Sequence, residues 1–137
     1  TEAIVKIVVG LPPVYGRIVE VLGTPPPTVI FTWADTIYAP SGDATVTPDL
    51  EAHELVHQRQ QEAVGGPEVW WDRYLAEPAW RAQQELEAYR IHYAFMRQRI
   101  RDRNALARFR ASIAGSLAGP IYGRVMDFQT AYREIGR

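Results

Sequence analysis

The alternation of apolar and polar positions divides the chain into a strand-like first third and a helical remainder. EAIVKIVVG (2–10) is a short β-branched run closed by glycine, which predicts a buried strand. In VYGRIVEVLG, Val14, Ile18 and Leu22 recur four apart and Gly23 follows, a short amphipathic helix weakened by Gly16. TPPPT reads as a linker within the domain, and TVIFTW, ADTIYAP and ATVTP predict two or three further strands separated by turn residues. At Thr47 the period changes. Thr47 suits a helix cap, Pro48 its first position, and Asp49 and Glu51 the first turn, where the helix dipole favours acids. The helix should run through HELVHQRQQEAV until GGP (65–67) stops it. PEVWWDRYLAE reads as a bulky aromatic connector with a helical turn or two. From Pro78, Ala82, Leu86, Tyr89, Tyr93, Met96 and Ile100 recur at helical steps and predict a second long helix. NALARFRASIAGSLAG and GRVMDFQTAYREI predict two more, separated at Gly119 and Pro120.

A length of 137 residues at 47% hydrophobic composition suits one domain, 1–137, around one core. The pattern gives an α+β chain, with a small N-terminal sheet and a helix ahead of four helices. There is no cysteine, which excludes disulfides and thiolate metal sites and leaves His, Asp and Glu as ligands. No run has the length of a membrane span, and the N-terminus lacks the basic-then-apolar layout of a secretory signal, so the expectation is a soluble, cytoplasmic protein without a membrane partner. The net charge of -1 conceals an asymmetry, with four basic and eleven acidic side chains in 1–80 against eleven and five in 81–137.

The chemistry concentrates in HELVH (53–57). On a helix, residues four apart are rotated by roughly 40° and lie one turn above the other, so His53 and His57 point the same way and can share one ion. Zinc in a water-activating site needs a third protein ligand and an open position, and the residue after the first histidine, here Glu54, is placed to act as the base. A third histidine at the spacing of the metzincins is absent, since Gln60 and Ala63 stand where that motif continues. QELEAYR (84–90), on the next long helix, offers Glu85 and Glu87. These two are separated by roughly 200° around a helix, so at most one faces the ion. Glu85 lies beside the stripe of Ala82, Leu86, Tyr89 and Tyr93, whereas Glu87 leans toward Trp80, Gln84, Ile91 and Phe95, and periodicity favours Glu85 only mildly.

HELVHQRQQ followed, 28 residues after its second histidine, by ELEAY resembles the minimal gluzincin metallopeptidases, including compact bacterial and phage-encoded domains. It is also similar to the broader HExxH and E-x-x-A-D pattern. The resemblance covers roughly residues 28 to 93 and implies a zincin-like fold, with His53, His57 and Glu85 as zinc ligands and Glu54 as general base in peptide-bond hydrolysis. The departure is Tyr89, where many relatives have an acid or Asn, so what supports the ligands from behind is left open.

Within that reading the partner is a peptide or protein, pairing with an edge strand drawn from TIYAP or ATVTP. Tyr89, His92, Tyr93, Tyr122 and Arg124 can each donate to an oxyanion, and sequence does not choose among them. Gln58, Gln60 and Gln61 read as a solvated helix end rather than a polar lining for the cleft, and Trp70 and Trp71 as cover for a core edge rather than a substrate platform. Two other functions compete. RQRIRDRNALARFR (97–110), with six arginines and one acid, could neutralise phosphates, but its arginines fall on several sides of a helix without a recognised motif, which argues against a nucleic-acid partner. A catalytically silent zincin-like module that only binds another protein would have no use for Glu54.

Overall fold

A computed structural model describes residues 6–137. It is an α+β arrangement in the chain order β1 (Lys6–Val8), α1 (Tyr15–Leu22), β2 (Phe31–Trp33), β3 (Thr36–Tyr38), α2 (Pro48–Val64), α3 (Pro67–Ala76), α4 (Pro78–Arg97), α5 (Arg103–Leu117) and α6 (Phe128–Ile135). The expected first strand is present from Lys6, and its residues 2–5 lie outside the described part. No helix among the described residues is long and apolar enough to cross a membrane.

The sheet has the order β1-β3-β2, with β1 parallel to β3 and β2 antiparallel to it. Phe31 pairs with Tyr38 and Trp33 with Thr36, a tight hairpin in which Ala34 takes a positive φ of 54°. Two sequence expectations are corrected here. ATVTP is not a strand, because Asp43–Thr45 forms a 3-10 turn that leads into α2. TIYAP contributes the central strand, both of whose edges are occupied, so the free edge beside α2 belongs to β2.

The helices begin and end where local chemistry dictates. Pro48 opens α2 and Gly65, at φ 106°, closes it in the left-handed conformation that glycine adopts without strain. The aromatic connector proves to be a full helix, α3, opened by Pro67. Asp102 and Asp127 cap α5 and α6 by accepting from the backbone amides of Ala105 and Thr130 at 3.0 and 2.8 Å. The Asp127 cap explains why the last helix starts at Phe128 and leaves GRVM (123–126) outside it.

Two apolar cores flank the α2–α4 pair. One gathers Val14, Ile18, Phe31, Trp70, Trp71, Tyr74 and Leu75, and it joins the sheet and α1 to α3. The other joins α4, α5 and α6 through Leu86, Ile113, Leu117, Ala131 and Ile135. Burying each large side chain contributes about 1.5–3 kcal/mol. Between the cores, α2 presents a polar face to α4, and His53, Glu54, His57, Gln58, Gln60 and Gln61 are all buried.

Candidate metal centre

A buried polar cluster between two helices has to satisfy its hydrogen bonds, and among the described residues no buried side-chain polar atom lacks a partner. His53, Glu54 and His57 offer ligand atoms that all lie within 4.8 Å of one another, a buried group that can hold a metal ion. From α4, Glu85 reaches across, with its Oε1 at 3.2 Å from His53 Nε2 and at 3.2 Å from His57 Nε2. Its other oxygen, Oε2, accepts from the Tyr74 hydroxyl at 2.5 Å. Glu87 is on the exposed side of α4. The structure therefore brings together all four residues singled out from the sequence, and it places Glu85 rather than Glu87 against the histidines.

The far nitrogens of both imidazoles are committed. Gln60 donates from Nε2 to Glu87 Oε1 at 2.7 Å and to the Gln84 carbonyl at 3.0 Å, so its Oε1 faces His57 Nδ1 at 2.8 Å as an acceptor. His57 must then carry its proton on Nδ1. His53 Nδ1 lies 3.2 Å from His92 Nδ1, and His92 Nε2 lies 2.7 Å from Asp49 Oδ2. Asp49 is a carboxylate, held below its usual range by hydrogen bonds from Thr47 and His92 that outweigh burial. It accepts from His92 Nε2–H, which leaves His92 Nδ1 as an acceptor for the His53 Nδ1 proton. Both Nε2 lone pairs are thus bare and converge on a carboxylate oxygen. Three electron-pair donors facing one another in a buried site require a positive charge between them.

The titration behaviour says the same. Burial favours neutral His57, but the adjacent Glu85 charge more than reverses this and raises His57 to about 9. Burial holds His53 down at about 4, although Glu85 pulls it upward. Glu85 stays ionised despite its burial because His57 and His53 stabilise its charge, and its pKa lies well below the usual carboxylate range. In the absence of a cation a proton on one histidine does the same work.

Glu54 belongs to this group but is anchored separately from Glu85. Thr32 donates to its Oε1 at 2.9 Å, while Oε2 lies 3.8 Å from His53 Nε2. Burial pushes Glu54 up to about 7, against the pull of His57 and of the Thr32 hydrogen bond. Thr32 is fixed in turn, because its carbonyl accepts from Gln61 Nε2 and Trp71 Nε1 at 2.9 and 3.0 Å. Gln61 also accepts from the Ala34 amide at 2.8 Å, so one glutamine side chain caps the outer edge of β2. The expectation that Gln58, Gln60 and Gln61 are a solvated helix end is therefore wrong. All three are buried, and two of them fasten the cluster to β2 and α4.

The cluster forms the floor of a 660 Å³ cavity, whose walls come from α1, the 23–32 segment, α3 and residues 115–122. Trp70 and Trp71 line it and also belong to the core, as expected of core cover. Of the five candidate oxyanion donors, Tyr89 and Tyr122 line the cavity, with their hydroxyls 2.8 Å apart. Burial raises both above the ordinary tyrosine range, so they stay neutral. His92 sits behind His53, Tyr93 packs against the α4–α6 core, and Arg124 is exposed.

Thr32, Asp49, Gln60 and Tyr74 were not found from sequence. Asp49 precedes His53 by one helical turn and Gln60 follows His57 by three residues, spacings that carry a faint local signal. Thr32 and Tyr74 come from other elements and carry none. Comparison with protein families, with curated proteins and with solved structures finds no match to this chain.

Proposed function

We propose that this chain is a zinc-dependent peptidase of the gluzincin type on a zincin-like fold, with His53, His57 and Glu85 as metal ligands and Glu54 as general base. The observation that carries this reading is the convergence of the Nε2 atoms of His53 and His57 on Glu85 Oε1, each at 3.2 Å, beside a second carboxylate, Glu54, that Thr32 holds separately. Two imidazoles and one carboxylate are the donor set that zinc takes when it leaves a position open. The metal bound there supplies a Lewis acid that polarises a carbonyl and acidifies water.

The chain's own groups account for the proton. Thr32 fixes Glu54 through Oε1, leaving Oε2 to accept a proton from the attacking water and later return it to the departing amine. In the metal-free chain burial raises this carboxylate to about 7, so it takes up a proton readily. A site that only held a metal for structure would bury such a group at a cost and gain nothing from it. Beside the cluster, Tyr89 and Tyr122 share one hydrogen bond between two hydroxyls, so one O–H proton of the pair is available to a substrate oxygen.

The test pairs metal content with turnover. The chain purified without a metal-affinity tag should hold about one zinc per molecule, lose it in Glu85→Ala and keep it in Glu87→Ala. Glu54→Gln should retain the metal and lose hydrolysis of an unstructured protein. Wild type that takes up no metal from supplied zinc would defeat the proposal.

A further inference from the structure

Resting on the peptidase reading, we infer that the cavity selects apolar over acidic side chains from the interior of a substrate chain, and that the site cuts within chains and not at their carboxyl ends. The cavity has two sides. Among the described residues, the acidic groups that line it are Glu54 and Glu85, both committed to the metal centre and the proton. The rest of the lining is mostly apolar and includes Leu22 of α1, Val29 and Ile30 ahead of β2, Leu50 of α2, and Ile121, with the hydroxyls of Thr24, Thr28 and Ser116 among them. No lysine, arginine or aspartate lines the cavity among the described residues. Arg81, buried beside it, gives Nε to the Tyr122 carbonyl at 2.9 Å and Nη1 to the Tyr74 carbonyl at 2.7 Å.

A free terminal carboxylate next to the reacting bond would enter this space beside two glutamates, where no side-chain cation in the described lining pairs with it and the metal is engaged by the reacting carbonyl and water. Burying an unpaired carboxylate is far costlier than burying an apolar side chain, and the neighbouring acids add repulsion. An aspartate or glutamate side chain meets the same obstacle. Apolar side chains gain from each wall they cover.

The edge of β2 sets the register. Gln61 occupies the Thr32 carbonyl and the Ala34 amide, so an added strand cannot pair at those positions. Ile30, directly before β2, is not capped in this way and lines the cavity. A substrate backbone therefore pairs at Ile30, with its side chains directed between the apolar walls.

The experiment uses the zinc-loaded chain and internally quenched peptides with both ends blocked, centred on Leu-Phe, Asp-Asp or Lys-Lys. A fourth peptide carries Leu-Phe with a free carboxylate directly after it. Cleavage is measured on wild type, and binding of the same peptides is measured on Glu54→Gln by tryptophan fluorescence. The blocked Leu-Phe peptide should be cut and bound at least about tenfold better than the acidic and free-carboxylate peptides. Val29→Lys, which adds a cation to the wall, should narrow that gap at least about threefold. Equal or better handling of the acidic or free-carboxylate peptide by wild type overturns the inference. If no peptide is cut while Glu54→Gln still ranks them in this order, the selectivity stands and the hydrolytic reading fails.

Discussion

Removing the imidazole of His92 tests how the proposed metal ligands are held. His92 is 2% exposed and connects His53 Nδ1, at 3.2 Å, to Asp49 Oδ2, at 2.7 Å. His92→Phe keeps an aromatic ring against Phe109 and Tyr89, whose rings lie 5.5 and 5.8 Å from that of His92, so packing is largely preserved. What is lost is the acceptor for the His53 Nδ1 proton. A buried donor left without a partner costs about 1–3 kcal/mol. His53 escapes that cost by turning its ring or moving its proton to Nε2, and either change removes a metal-binding lone pair. Loss of a group that orients a ligand in this way lowers metal affinity by about 10–100-fold, or about 1.4–2.8 kcal/mol. His92→Gln, able to accept from His53 and donate to Asp49, should recover part of the loss. Competition against a chromophoric chelator gives the affinities directly, and thermal unfolding of the metal-free proteins checks that the fold is intact. Affinity within about twofold of wild type in His92→Phe, alongside loss in Glu85→Ala, would show that the Asp49–His92–His53 chain does not position the ligand.

Gln60→Ala should weaken metal binding because His57 Nδ1 loses its acceptor, and Glu87→Ala, one bond further away, should weaken it less, at most about tenfold in the same competition assay. Tyr122→Phe should lower kcat by about 10²–10³ with little change in KM if its hydroxyl faces the developing oxyanion, and an unchanged kcat would remove it from that role. The metal-free protein should lose stability as pH rises from 7 to 9. A histidine raised from 6.5 to about 9 contributes stability that is complete below 6.5 and disappears as pH passes 9. Glu85, being depressed, contributes above its ordinary 4.5 and fails only in acid, while Glu54, raised from 4.5 to about 7, has spent its alkaline loss by pH 7. Added zinc replaces the proton, so the melting temperature of the loaded protein should stay level over that interval.

How much of this was visible beforehand follows from which rule each segment obeys. HELVH on a helix opened by Pro48 and ended at Gly65 could be read directly, because spacing and stop signals are local. The choice of Glu85 over Glu87 needed only the rotation between them, and periodicity supplied a weak preference that the packing of α4 on α2 fulfils. The glutamines after His57 defeated the same reasoning, because equating polar with solvated assumes that a helix buries its apolar side. Here α2 buries a polar face against α4, so it lacks a clear apolar stripe and its buried glutamines look like surface. Polar residues can be interior only when their partners are supplied, and those partners come from Thr32, Gln84 and Glu87, far away in sequence. Tyr89 illustrates the same limit. Its position, where the related pattern has an acid, left the support of the ligands unassigned, and in the structure the phenol ring packs edge-on at 4.4 Å from the His53 ring without offering it an acceptor. The acceptor comes three residues later, from His92, and the charge behind it from Asp49, one turn ahead of His53 on its own helix. A carboxylate one step removed through an imidazole serves where a direct one is missing, since each neutral ring passes the demand for a proton acceptor on to the next group.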